Sequence, residues 1–380
     1  MVLAVLVVMA LGAACTKGEP PAEAGPSSSQ APSVASTPSP SPTPEPVSIR
    51  LAAVGDVLIH SSLWIDAKTE NGYDFTPMFE RVKPIIEAAD FAIANQETMI
   101  GGTEIGLSDY PTFNGPKEVG DALKDAGFDA VTMANNHTLD RGVEAIRRSL
   151  EHWEQLGVVT AGAYLSEEER NRITLVDVKG VTFAIVAYTY GTNGIPFPSG
   201  MTYLTPLLEE EVLVRDLEAA RQQADVVIAA LHFGVEYVRM PDESQKEWAR
   251  LAIASGADIV LGHHPHVLQP PEWVEAGGRR GFVAYSLGNF ISGQDQIYRE
   301  IGAILLLDLE VTPGTASGKD AKVEIHNPEM VLTWTHKRKW RDYKLFLLGE
   351  VTEEQLSGAG KYYEEMKQHL VQFMPELVVR

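Results

Sequence analysis

Five separate apolar runs in this chain each stop on a side chain able to bind a metal ion, and few folds can use that pattern. The runs are residues 49–56 (IRLAAVGD), 91–97 (FAIANQE), 130–137 (AVTMANNH), 226–232 (VVIAALH) and 259–266 (IVLGHHPH). Their length and their Val, Ile and Ala content mark buried strands. In an open α/β sheet, short loops at the carboxyl ends of parallel strands hold side chains over a common crevice. Five strand ends carrying Asp, Glu, Asn and His therefore predict a metal site.

The segments between the runs predict the architecture. Helical periodicity over residues 78–89, 117–126, 142–156, 209–223 and 243–255 alternates with the strands, as in βα units. Residues 173–178 and 181–188 flank Lys179-Gly180 and read as a hairpin. Residues 281–286, 302–311 and 323–335 read as further strands, enough for a second sheet. The expectation is an α/β fold with two mixed sheets packed face to face and helices outside, a four-layer αββα sandwich. Residues 352–374 read as an amphipathic helix with Tyr362, Tyr363 and Met366 as packing residues, within a C-terminal helical extension over 346–380.

The N-terminal stretch reads differently. Residues 1–14 are almost wholly apolar and run into Cys15, the chain's only cysteine. Such a run is too short for a bilayer but suits a signal-peptide core. Leu11-Gly12-Ala13-Ala14-Cys15 resembles a bacterial lipobox, which implies a lipidated Cys15 after cleavage and an extracytoplasmic protein held to the cell membrane. An ordinary secreted chain with an incidental cysteine is the other reading. Residues 16–46 hold nine prolines among Ser, Thr, Ala and Glu, cannot build a core, and read as a disordered tether. The folded domain is expected over residues 47–345.

Charge narrows the partners. Asp and Glu outnumber Lys and Arg 52 to 31, for a formal net charge of −21, and no basic cluster offsets the excess. That balance argues against nucleic acid as a partner, because phosphate binding depends on Lys and Arg.

The site can be read residue by residue. Asp56 follows Gly55 at the end of an apolar strand, and Asn95-Gln96-Glu97 puts three polar side chains where a buried strand would otherwise be apolar, which is costly unless something binds them. His232 closes another apolar run. His263, His264 and His266 lie within four residues, and neutral imidazole is a common ligand for zinc, iron or manganese. Asn136, His137 and Asp140 add an amide, an imidazole and a carboxylate at a strand-to-helix turn. Six of the ten histidines, His60 included, fall in or beside these strand ends. Mixed carboxylate, amide and imidazole ligands without cysteine suit a two-metal hydrolytic centre.

These motifs carry a family resemblance over residues 49–295. Gly55-Asp56-Val57, Asn95-Gln96-Glu97, Tyr110-Pro111-Thr112-Phe113-Asn114, Ala134-Asn135-Asn136-His137-Thr138-Leu139-Asp140, His232-Phe233-Gly234-Val235-Glu236-Tyr237, Gly262-His263-His264-Pro265-His266-Val267 and Tyr285-Ser286-Leu287-Gly288-Asn289-Phe290 resemble the CapA family of capsule and poly-γ-glutamate synthesis proteins. Its fold is similar to that of calcineurin-like metallophosphatases.

The resemblance implies roles. Asp56 and His266 would hold one ion, His232, His264 and Asn136 a second, and Glu97 would bridge the two. His137 would be a proton donor oriented by Asp140, and Asn289 would line the pocket, with Asn95 and His263 beside it. The first motif is Asp-x-x-x-His, which leaves coordination by His60 open. Two functions remain in view: a metal-dependent phosphoester hydrolase in capsule assembly, or an accessory protein that tethers or exports an anionic polymer alongside other synthesis subunits.

Overall fold

The protein is described by a computed structural model covering residues 45–314 and 321–380. The expected signal segment, Cys15 and residues 16–44 of the expected tether lie outside the described residues.

The chain opens with four parallel neighbours, β1 (Val47–Leu58), β2 (Phe91–Gln96), β3 (Ala130–Thr132) and β4 (Val159–Ala161). It then builds a second sheet from β5 (Thr174–Val178), β6 (Val181–Thr189), β7 (Val226–His232), β8 (Ile259–His263), β9 (Glu272–Ala276) and β10 (Arg279–Ala284), in spatial order β9-β10-β8-β7-β6-β5. In this sheet β6, β7, β8 and β10 run parallel, and antiparallel β5 and β9 form its edges.

The remaining strands return to the first sheet. β11 (Asn289–Ser292) lies parallel to the end of β1, and β12 (Ile301–Thr312) runs antiparallel to β1. β13 (Lys322–Arg338), β14 (Arg341–Leu347) and β15 (Val378–Val379) extend the sheet beyond β12. The result is a mixed α/β sandwich. At the β5–β6 hairpin, Lys179 and Gly180 have φ of 55° and 82°. Those are the left-handed values a two-residue type I′ turn requires.

Alternation along the strands sorts the core. Leu51, Ala53, Phe91 and Ile93 of the first sheet share one buried cluster with Phe183, Ile185, Val226, Ile228, Ile259 and Leu261 of the second. The residues between them point to the opposite faces, as a period of two demands. Ala52, Val54, Ala92 and Ala94 pack with α1 (Glu118–Asp125) and α2 (Gly142–Leu156), through Val119, Leu123, Ile146 and Trp153. Ala184, Val186, Val227, Ala229 and Val260 pack with α3 (Glu210–Arg221) and α4 (Glu243–Ala254), through Leu213, Leu217, Ala249 and Ile253. These helices bury residues three, four or seven apart, a single apolar stripe each. α4 begins in a capping box, with Asp242 and Gln245 exchanging side-chain and backbone hydrogen bonds.

Two expected helices are shorter than their periodicity predicts. Residues 78–89 form only the turns Thr76–Phe79 and Lys83–Ile86, because Pro84 lacks an N–H and its ring crowds the carbonyl four residues back, so it can start a turn but not continue one. The C-terminal helix, α5 (Ala359–Leu370), starts only after Gly358, whose φ of 83° is incompatible with a right-handed helix. Met366 and Leu370 of α5, with Met374, Leu377 and Val379 after it, join the cluster shared by the two sheets.

Candidate metal centre

The carboxyl ends of β1, β2, β7 and β8 meet at one place, and the loops after β3 and β8 close over it. Asp56 lies near the end of β1, where Gly55 lets the chain at Gly288 come close: a Cβ on Gly55 would lie 1.8 Å from Gly288 O. The glycine thus admits a neighbouring backbone, whose Gly288 carbonyl accepts the Asp56 N–H at 2.9 Å. The Asp56 side chain is fully buried. Asn95 Nδ2 donates to its Oδ1 at 2.8 Å, and His266 Nδ1 lies 3.0 Å from its Oδ2. Burial opposes its charge, but His266, His263 and Asn95 hold the carboxyl below its ordinary pKa.

Glu97, immediately after β2, is equally buried but wholly unlike Asp56 in its surroundings. Neither of its carboxylate oxygens has a hydrogen-bond partner among the described residues. The nearest imidazole nitrogens are His232 Nε2 at 3.5 Å and His266 Nε2 at 3.8 Å. Burial drives its pKa well above the usual carboxylate range, so a bare carboxylate is disfavoured here unless a positive charge answers it.

The imidazoles follow the same logic. His232, at the end of β7, has Nε2 2.7 Å from Asn136 Oδ1, while its Nδ1 is buried without a hydrogen-bond partner among the described residues. Burial, then the neighbouring imidazoles, push its pKa well below normal. Burial likewise lowers His264 to about 3 and His263 to about 4, and each has an unpartnered Nδ1. His266 goes the other way: although burial disfavours its charge, Glu97 and Asp56 raise it to about 9. The loop carrying this run has left-handed backbone at His264 (φ 97°) and His266 (φ 58°), conformations a non-glycine residue adopts only when its surroundings enforce them.

Ligand-capable atoms gather accordingly. Glu97, His232 and His264 present atoms within 4.8 Å of one another, as do Asp56, Glu97 and His266. Glu97 belongs to both sets. Neutral imidazoles and carboxylates with orphaned buried atoms, and no thiolate, are a donor set that fits divalent cations.

Beside the ligand sets stands a hydrogen-bonded imidazole–carboxylate pair. His137 Nδ1 lies 2.7 Å from Asp140 Oδ2, and the same oxygen accepts the Phe113 N–H at 2.6 Å. The Phe113 ring meets His137 edge-on at 4.8 Å. Asp140 thus engages Nδ1 of the ring and not Nε2. Asn289 Oδ1 lies 3.0 Å from His266 Nδ1, and His263 Nδ1 lies 3.6 Å from Asp56 Oδ1. His60 stands apart from the ligand sets: its Nδ1 sits 3.1 Å from both Leu58 O and Gly293 N, and its ring packs on Phe113.

Some residues at the site were not singled out from the sequence. Glu236 forms a further ligand-capable set with His264 and His266, and its place in His232-Phe233-Gly234-Val235-Glu236-Tyr237 was the available signal. Asn193 spans the centre, accepting from Asn136 Nδ2 at 3.2 Å and lying 3.4 Å from His137 Nδ1 through its own Nδ2. Nothing in the Gly191-Thr192-Asn193-Gly194 loop signals that role. Tyr190, half exposed, packs its ring 4.7 Å from that of His264.

Residues 50–294 match the family described as "Bacterial capsule synthesis protein PGA_cap". The chain belongs to the CapA family. It is 30% identical over 285 residues to the PGA biosynthesis protein CapA of Bacillus subtilis strain 168, covering 72% of this chain and 70% of that one. It is 26% identical over 263 residues to the capsule biosynthesis protein CapA of Bacillus anthracis, covering 65% of this chain and 60% of that protein. A crystal structure of a hypothetical protein from Thermus thermophilus superposes at a TM-score of 0.39 with 17% identity, over 73% of this chain and 99% of that chain. The stretch matching the CapA family spans every ligand-capable residue described above from Asp56 to Asn289.

Proposed function

We propose that this CapA-family protein is a dinuclear-metal-dependent phosphoester hydrolase acting in capsule or poly-γ-glutamate assembly. The observation that carries the reading is Glu97, a buried carboxylate with no hydrogen bond among the described residues, shared by two ligand sets. Burying a carboxylate without partners is expensive unless a cation compensates it. Asp56 and His266 would hold one ion and His232, His264 and Asn136 the other, with Glu97 common to both ligand sets. Two divalent ions bound here, Mn, Fe or Zn, would supply Lewis acidity toward a phosphoryl oxygen and lower the pKa of water in the crevice. His137 donates a proton to the leaving oxygen, with Asp140 fixing its tautomer and angle. The three apolar clusters support a four-layer αββα arrangement of the metallophosphatase type.

In the same reading residues 47–345 form the working domain, and a lipidated Cys15 with the 16–46 tether holds it outside the cell membrane. There it meets an anionic polymer or phosphoester and the other synthesis subunits. A Cys15→Ser variant is then expected in the soluble extracytoplasmic fraction; its retention on membranes would remove the anchor.

The deciding experiment uses metal-loaded protein, a panel of phosphoesters and a His137→Ala variant. The expected result is near-parental metal content with hydrolysis reduced about 10²–10⁴-fold. Loss of metal would make His137 a ligand. A metal-loaded parent with no turnover across the panel would overturn the hydrolase and leave the crevice as a binding site for an anionic polymer.

A further inference from the structure

Arg299 stands at the rim of the centre in an arrangement that none of the ligand sets uses. Its guanidinium carbon lies 3.5 Å from the centroid of the Tyr237 ring, and among the described residues no carboxylate comes within ion-pair distance of it. The Tyr237 ring is in turn 6.2 Å from the ring of His266. Face contact with an aromatic ring occupies the flat side of a guanidinium and leaves its edge N–H donors free.

The position is held from inside the site. Asn289, whose Oδ1 touches His266, donates through Nδ2 to the Arg299 carbonyl at 2.9 Å and to Gln294 Oε1 at 3.0 Å. Gln294 Nε2 reaches the Tyr237 hydroxyl at 3.5 Å. One side chain thus ties the arginine's backbone, and through Gln294 the ring beneath it, to a ligand-capable histidine. Tyr237 is an exposed aromatic. A cation without a carboxylate partner, on an exposed ring beside a reaction centre, in a chain of net charge −21, is arranged for an anion that arrives from outside.

We propose that Arg299 and Tyr237 form an anion subsite that takes an oxyanionic group of the substrate, a carboxylate or a phosphate, at a distance from the bond being broken. This deepens the hydrolase reading and rests on it for the word substrate. The edge of the guanidinium grips the oxyanion bidentately, so the site prefers phosphoesters bearing a second negative group over esters with a neutral remainder.

The test compares phenyl phosphate with the three carboxyphenyl phosphates on manganese-loaded parent, Arg299→Ala and Arg299→Lys. The preference for the best carboxylated ester, as a ratio of kcat/KM values, is expected to fall about 10-fold or more in Arg299→Ala, chiefly through KM, and to be partly kept in Arg299→Lys. A ratio unchanged in Arg299→Ala would overturn the subsite. Calorimetric titration of the same proteins with a γ-glutamyl oligomer and, separately, with tripolyphosphate supplies the arm that does not depend on turnover and tells carboxylate from phosphate. If the parent cleaves none of the esters, the hydrolase reading fails alone: weaker binding of either anion to Arg299→Ala still supports the subsite, and equal binding of both removes it. Thermal unfolding of Arg299→Ala close to the parent's excludes misfolding as the cause, and Arg299→Gln serves as the second variant should the alanine protein fail to fold.

Discussion

The amino and carboxyl ends of the same strands treat polar groups in opposite ways. Asp90, Asp129, Asp225 and Asp258 each stand just before β2, β3, β7 and β8, and each accepts a backbone N–H near the start of the neighbouring strand, from Arg50, Ala92, Thr182 and Val227 at 2.8–2.9 Å. Asp258 goes further, with Arg279 at 2.6 Å on one oxygen and Arg221 at 2.7 Å on the other. At the carboxyl ends, Glu97, His232, His263 and His264 keep buried atoms with no hydrogen-bond partner among the described residues. Burial raises the pKa of both Asp258 and Glu97. Asp258 has a guanidinium within hydrogen-bond distance of each oxygen, whereas the imidazoles nearest Glu97 stand off at 3.5 and 3.8 Å. Burial alone therefore does not mark a functional carboxylate; burial without a partner does.

Mutations should separate the two ends. The largest stability effect at neutral pH belongs to the amino end: Asp258→Ala leaves the buried Val227 N–H and two guanidinium groups without their carboxylate, and a loss of about 3 kcal/mol in urea unfolding is expected, with metal content unchanged. A small loss accompanied by metal depletion would reverse the comparison.

A pH-dependent effect, slight near neutral pH, comes from His264 in metal-free protein. Its folded pKa of about 3 lies below the ordinary value of 6.5, so below pH 6.5 the unfolded chain binds a proton that the folded one refuses. Its contribution therefore erodes stability as pH falls from 6.5 toward 3. His264→Ala should flatten the stability–pH curve over that window by up to about 1.4 kcal/mol per pH unit, measured by unfolding at stepped pH. Parallel curves for parent and variant would show that His264 is not held neutral.

The smallest effect is expected at Asp129→Asn. The amide oxygen can still accept the Ala92 N–H, so stability should move by no more than about 1 kcal/mol and metal content not at all. A larger loss would mean that the charge of Asp129, not its acceptor oxygen, is what β2 needs.

Much of this was legible in the sequence because strand ends announce themselves. An apolar run broken by Asp56, by Asn95-Gln96-Glu97 or by His263-His264-Pro265-His266 is a local signal, and the resemblance to the CapA family rests on those same residues. What stayed hidden depends on residues that meet only in three dimensions. Asn193 is a lone amide in a loop and becomes part of the centre through contacts 56 and 57 residues away. Arg299 is one arginine among many until Tyr237 lies beneath it. The helix expected over 78–89 failed for the opposite reason: its apolar spacing was visible, but Pro84 overrides periodicity through a missing N–H. The aspartates before β2, β3, β7 and β8 were in plain view, yet an Asp before a strand reads as an ordinary turn residue until its hydrogen bond is seen.

Everything proposed for the centre turns on Glu97 being left without partners because two cations share it. Elemental analysis of purified parent and Glu97→Gln, both folded by circular dichroism and equilibrated with manganese, tests this directly. About two ions per chain are expected in the parent, falling below one in the variant, because removing the shared charge weakens both positions. Two ions retained by Glu97→Gln would show that the carboxylate bridges nothing.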